Sequence, residues 1–136
     1  MRMTQAIPAF PIGEMARSLE FYRDKLGFTI GHQEDGFAVL LYDAVKLNLW
    51  AARDESWRAR SSSTPVVSGA ESFIAGTASC RIEVEGVDEL FARLEPLKIV
   101  HPNSTLRDQW WGERDFAVLD PDNNLITFFE RVRNVK

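Results

Sequence analysis

The sequence predicts an α+β chain built from two βαβββ modules, on three observations. Two stretches, Met15 to Leu26 and Val87 to Leu94, carry apolar residues at helical spacing. Each is preceded by one short strand-like stretch and followed by three more. A polar, serine-rich segment parts the two sets, so the same order occurs twice, as in an internal duplication. The modules span about 6–52 and 77–132, and a connector covers 53–76.

Taken in order, Ala6-Ile7-Pro8-Ala9-Phe10-Pro11-Ile12 is short, apolar and punctuated by two prolines, which suits an edge strand or an arm lying on another subunit. Met15, Leu19, Tyr22 and Leu26 then recur at i, i+4, i+7 and i+11, one apolar face of a helix, and Gly27 stands where a helix stops. Strands follow over about Thr29 to Glu34, Phe37 to Tyr42 and Val45 to Ala51. Asp35-Gly36 is good chemistry for a two-residue hairpin turn, and Asp43-Ala44 is poorer at the right spacing. In the third of these strands Lys46, Asn48 and Trp50 share the face opposite Leu47 and Leu49. A Trp on that polar face makes sense if the face lines a groove.

Ser61-Ser62-Ser63-Thr64-Pro65 marks the connector, with Trp57 and Phe73 as its surface anchors. The second module opens with Ser79-Cys80-Arg81-Ile82-Glu83-Val84, which alternates as a half-buried strand does. Val87, Leu90, Phe91 and Leu94 form the second helical face, Asp88 and Glu89 suit its first turn, and Pro96 ends it. A short strand is expected over Ile99 to His101, then a corner at Trp110-Trp111-Gly112, then two closing strands joined by Asp120-Pro121-Asp122-Asn123-Asn124. That joint is turn chemistry, since Pro presets φ and Asn tolerates positive φ. Two adjacent indoles beside Gly112, with Glu113-Arg114 next, suit a surface that stacks flat rings.

The 136 residues fit one domain large enough to hold a core without staples. A net charge of −4 argues against a nucleic-acid partner, which needs a concentrated basic face. No run approaches the roughly 20 apolar residues that span a bilayer, and Met1 to Gln5 lack the apolar core of a signal peptide. A single cysteine, Cys80, forms no intramolecular disulfide and fits a cytoplasmic location. With no base near it in sequence it reads as a small hydrophobe. No phosphate loop, zinc spacing or nucleophile elbow appears, so no catalytic residue is assigned.

Paired βαβββ modules with Leu19-Glu20-Phe21-Tyr22, Leu26-Gly27-Phe28 and Asp120-Pro121-Asp122-Asn123-Asn124-Leu125 resemble the vicinal oxygen chelate (glyoxalase-like) superfamily. Within it, Ala6-Ile7-Pro8, Glu34-Asp35-Gly36-Phe37-Ala38-Val39 and Trp111-Gly112-Glu113-Arg114-Asp115-Phe116-Ala117 are similar to the bleomycin-resistance proteins. The resemblance covers nearly the whole chain except 53–76, which is longer than the usual connector.

The superfamily's enzymes hold a divalent cation with His, Gln or Glu from four strands. Here those positions fall on Ile7, Asn48, Ser79 and Thr127, within about one residue. Ile cannot ligate, and the other three offer weak neutral oxygens, whereas a catalytic site needs about three good donors. His32 and His101 miss the ligand positions and read as solvated or hydrogen-bonded histidines. The expectation is therefore no metal and no cofactor.

The resemblance implies instead a homodimer, its N-terminal strand exchanged between subunits with Pro8 in the arm, and each groove built from both chains. The implied ligand is a bleomycin- or phleomycin-type antibiotic, free or as its metal complex, bound without chemical change. Such drugs carry flat bithiazole rings and a cationic tail. Flat rings call for aromatic stacks and cations for rim carboxylates. Phe37 and Trp111 match the family's stacking positions; Asn48 and Trp50 line the same face, Asp35 and Glu113 stand near the mouth, and Trp110 leaves open which indole meets the ligand. Two rivals stand beside this reading: a metal-dependent enzyme of glyoxalase or dioxygenase type, and a module binding another flat metabolite.

Overall fold

A computed structural model describes residues 1–52, 61–65, 67 and 75–132. Each half forms one four-stranded sheet. In module one, β1 (Ala9–Ile12), β2 (Thr29–Gln33), β3 (Phe37–Tyr42) and β4 (Val45–Ala51) stand in the order β1-β4-β3-β2. In module two, β5 (Ser79–Glu83), β6 (Arg107–Asp108), β7 (Glu113–Leu119) and β8 (Leu125–Arg131) repeat it as β5-β8-β7-β6. In both sheets the first pair is parallel and the others antiparallel. The duplication read from the pattern of elements is thus a duplication of topology.

Alternation decides which face each sheet buries. Ala38 and Leu40 of β3 and Leu47 and Leu49 of β4 are buried in the core together with Met15 and Leu19 of helix α1 (Met15–Glu20), as are Ile82, Phe116, Val118, Ile126 and Phe128 of the second sheet. Met15, Leu19, Tyr22 and Leu26 are all buried, as their spacing predicts. The helix is not uniform: from Phe21 to Lys25 it widens to a π turn, closed by Leu26 N donating to Phe21 O, and Gly27 ends it at φ 89°. Helix α2 (Val87–Leu94) has no side-chain cap of its own. Glu130 of β8 supplies one from across the module, accepting from Gly86 N and Val87 N at 3.0 Å each.

One expectation shifts. Ile99 to His101 is not a full strand: it runs along the outer edge of β7, with Leu119 N donating to Ile99 O and His101 N to Ala117 O, before Pro102 interrupts it. The ladder strand of that edge is the two-residue β6. Within the single chain Ala9–Ile12 pairs with β4 and buries Phe10 and Ile12, and a β1 exchanged with a second copy would make the same ladder; Met1 to Ile7 precede it, exposed. Pro11 is tolerated because β1 is an edge strand. The connector's anchors, Trp57 and Phe73, lie outside the described residues.

One core joins the modules, running from Phe10 and Tyr22 to Val87 and Ile126. At one end the seam is locked by the Asp120–Asn124 turn. The buried Asp120 carboxylate accepts from Tyr22 Oη, Asn124 Nδ2, Asn124 N and Asp122 N at 2.8–2.9 Å. Asn124 Nδ2 also donates to Pro11 O, its Oδ1 accepts from Ala78 N, and Arg17 pairs with Asp122. Burial and the nearby Asp120 charge raise the Tyr22 phenol well above its ordinary pKa. At the other end the matching turn is only Asp43-Ala44, and it faces a cleft of about 610 Å³ lined by Phe28, Tyr42, Ile82, Glu85 and Leu90 among others.

Candidate functional site

The face of each sheet turned away from the helices carries the candidate residues. On the first sheet the register sets Phe37 opposite Trp50, Val39 opposite Asn48 and Leu41 opposite Lys46, all on that face. Phe37 and Trp50 meet edge to face with centroids 4.8 Å apart, and His32 tilts against Phe37 at 6.4 Å. Trp50 remains 39% exposed. Asp35 is exposed in the turn that leads into Phe37. Asn48 Oδ1 is buried and accepts no hydrogen bond among the described residues, while its backbone N–H donates to Pro8 O. The structure therefore brings Asp35, Phe37, Asn48 and Trp50 to one sheet.

The tryptophan corner is the hairpin loop between β6 and β7. Gln109 N donates to Glu113 O and Gly112 N to Gln109 O, which leaves Trp110, Trp111 and Gly112 as a three-residue loop with Gly112 at φ 93°. A left-handed residue closing a three-residue hairpin is the role glycine fills best. The tight loop has no interior, so both indoles point outward, Trp110 87% exposed and Trp111 46%. They contact each other edge to face at 5.5 Å. Trp111 differs in being tethered: its Nε1 donates to Glu113 Oε1 at 2.7 Å.

Glu113 is not the open rim carboxylate that the sequence suggests. Its side chain is mostly covered, and Oε1 also accepts from Arg81 Nη2 of β5. The Arg81 bond first, and the Trp111 bond second, hold the Glu113 carboxyl below its usual range. Arg81 spans β8 to reach it, its guanidinium 4.2 Å from the centre of the Phe129 ring. Arg131 pairs with Glu83 on the same face. Arg81 and Phe129 escaped the sequence reading; the alternation of β5, which sets Arg81 beside Ser79, was the available signal.

Among the described residues the Phe37–Trp50 contact lies on the first sheet and the Trp110–Trp111 contact on the second. One chain thus carries two aromatic clusters, one per sheet.

The positions that hold a metal in related folds carry Ile7, Asn48, Ser79 and Thr127, and these do not fit a divalent cation. Ile7 lies in the exposed arm before β1, and the rest are neutral oxygens. Both histidines are engaged locally: His32 Nε2 with Glu34, and His101 Nδ1 accepting from Asn103 N. Burial pushes the Cys80 thiol up to about 11, so it stays protonated.

Residues 6–128 match the family described as the Glyoxalase/Bleomycin resistance protein/Dioxygenase superfamily. The chain is 63% identical over 132 residues to a bleomycin resistance protein of Geobacillus stearothermophilus, covering 97% of this chain and 100% of that one. Among solved structures it is similar to a bleomycin-binding protein of Streptomyces verticillus complexed with copper(II)-bleomycin, at 18% identity and TM-score 0.68, covering 98% and 99% of the two chains. It is also similar to a lactoylglutathione lyase of Agrobacterium tumefaciens, at 19% identity and TM-score 0.71, covering 95% of each. The structural likenesses show the fold, and the sequence identity places the chain beside the resistance proteins. This chain belongs to the glyoxalase/bleomycin resistance protein/dioxygenase superfamily.

Proposed function

We propose that this protein binds a bleomycin-type glycopeptide antibiotic without altering it, so that resistance comes from sequestration in the cytoplasm. The observation that carries the reading is Trp111, a solvent-facing indole tethered by its one polar atom with a ring face left to stack. Its 63% identity to a bleomycin resistance protein over nearly the full chain supports the choice of ligand. The superfamily's enzymatic chemistry has no comparable support, because the residues at the metal positions are poor ligands.

The site is completed by a second copy. Half-sites on separate sheets give a planar ligand an aromatic surface on one side only, and a paired chain supplies the other. The arm Met1 to Ile7, exposed and preceding β1, is the segment that reaches the partner. Calorimetric titration with metal-free and copper-loaded bleomycin tests the reading. Saturable binding at one drug per groove, with the drug recovered unchanged in mass, is the expected result. A drug that returns chemically modified, or no heat at any concentration, rejects it.

A further inference from the structure

Arg81 has no partner in the sequence neighbourhood and no assigned role, yet it sits at the centre of the second half-site. Its guanidinium lies over Phe129, crosses β8 and meets Glu113 Oε1, the same oxygen that accepts the Trp111 indole N–H. Arg81 stands half exposed, and an ion pair of that kind contributes only modestly to stability. Its geometry has a clearer consequence. An indole has a single donor, so one acceptor sets which way the ring faces. That acceptor is itself held by a planar guanidinium whose fork and stacked face leave it few orientations.

We propose that Arg81 is a positioning residue for ligand binding: acting through Glu113, it fixes the plane of the Trp111 indole and so presets the ring face that stacks on a planar heteroaromatic. The inference rests on the ligand reading above only for the choice of probe. A side chain ordered before binding loses less freedom on binding, and the gain from one preset ring is about 3- to 10-fold in affinity.

The test uses Arg81→Met, which keeps an apolar stem over Phe129, and Arg81→Lys, which keeps the charge without the fork. Each is made alone and with Trp111→Phe, which keeps a ring but lacks the N–H. In the free protein, the Nε1–H resonance of Trp111, assigned by its loss in Trp111→Phe, is expected to shift and exchange faster with water in Arg81→Met. Bleomycin binding is expected to weaken about 3- to 10-fold in Arg81→Met, with partial recovery in Arg81→Lys. In the Trp111→Phe background the same substitutions should change affinity less than 2-fold. An unchanged indole resonance overturns the proposal, and so does an equal loss of affinity in both backgrounds, which would mean that Arg81 touches the drug itself. If the parent protein fails to bind bleomycin, the ligand reading falls while the resonance still decides the positioning claim. Should Arg81→Met not fold, Arg81→Lys carries both measurements.

Discussion

The Tyr22 phenol donates to Asp120 Oδ2 at 2.9 Å across 98 residues of sequence, and this bond crosses the seam between the two modules. Tyr22 is fully buried, so the bond has no water to replace it. Tyr22→Phe keeps the ring and leaves one lone pair of a buried carboxylate unmet, which costs about 1–3 kcal/mol. Denaturant melts at constant m-value check this, and an unchanged midpoint would count against a role for the bond. The folded pKa of Tyr22 lies above the unfolded value, so its contribution is complete below about pH 10 and declines as pH rises through the folded value. The parent should therefore lose stability in strong alkali faster than Tyr22→Phe does.

Trp111→Ala should lose roughly 2–4 kcal/mol of bleomycin binding, about 30- to 1,000-fold, the range of an aromatic hot spot. Trp110→Ala should lose much less, since that ring is almost wholly solvated and lacks the hydrogen bond that tethers Trp111. Quenching of tryptophan fluorescence on titration reads both. Should the losses be reversed between the two variants, the ligand stacks on the other indole.

Glu113 ionises at lower pH in the folded chain than in the unfolded one, because Arg81 and Trp111 both bond its carboxylate. Its contribution is thus complete above the ordinary carboxylate pKa of about 4.3 and fades as pH falls through the folded value. The difference in thermal midpoint between the parent and Glu113→Gln should stay constant from pH 8 to 6 and close under strong acid. Because Arg81 already neutralises Glu113, the variant should leave the salt dependence of drug binding almost unchanged. A marked flattening would show that the carboxylate attracts the cationic tail directly.

Removal of Met1 to Ile7 should leave β1 in its sheet and the thermal midpoint nearly unaltered, while weakening self-association in sedimentation runs. Removal through Ile12 takes away Phe10 and Ile12 and should abolish folding, since each buried side chain contributes on the order of 1.5–3 kcal/mol. A truncated chain lacking only the arm that stays dimeric at nanomolar concentration would assign the interface elsewhere.

Periodic features were legible in the sequence and isolated ones were not. The spacing of Met15, Leu19, Tyr22 and Leu26 announces a helix, but nothing in it marks the π turn at Phe21. Lys46, Asn48 and Trp50 share a face because strands alternate, which needs no tertiary information. The strand at Arg107–Asp108 is too short to have a period, so the apolar residues near Ile99 drew the assignment instead. Glu113 reads as a rim carboxylate because its partner Arg81 lies 32 residues away. Asp120 to Asn124 read correctly as a turn, yet its reach to Tyr22 and Pro11 is a property of the packed halves.

The unequal lengths of the two matching turns divide the molecule into a region that tolerates grafting and one that does not. Asp120 to Asn124 form part of the seam, so an inserted residue there separates Tyr22 and Pro11 from their partners and parts the halves. Asp43 and Ala44 border open space, on the helix side and away from both half-sites. A peptide tag or a fluorescent label spliced between these two residues leaves the seam and the aromatic surfaces intact, which makes that turn the place to attach a reporter of drug capture.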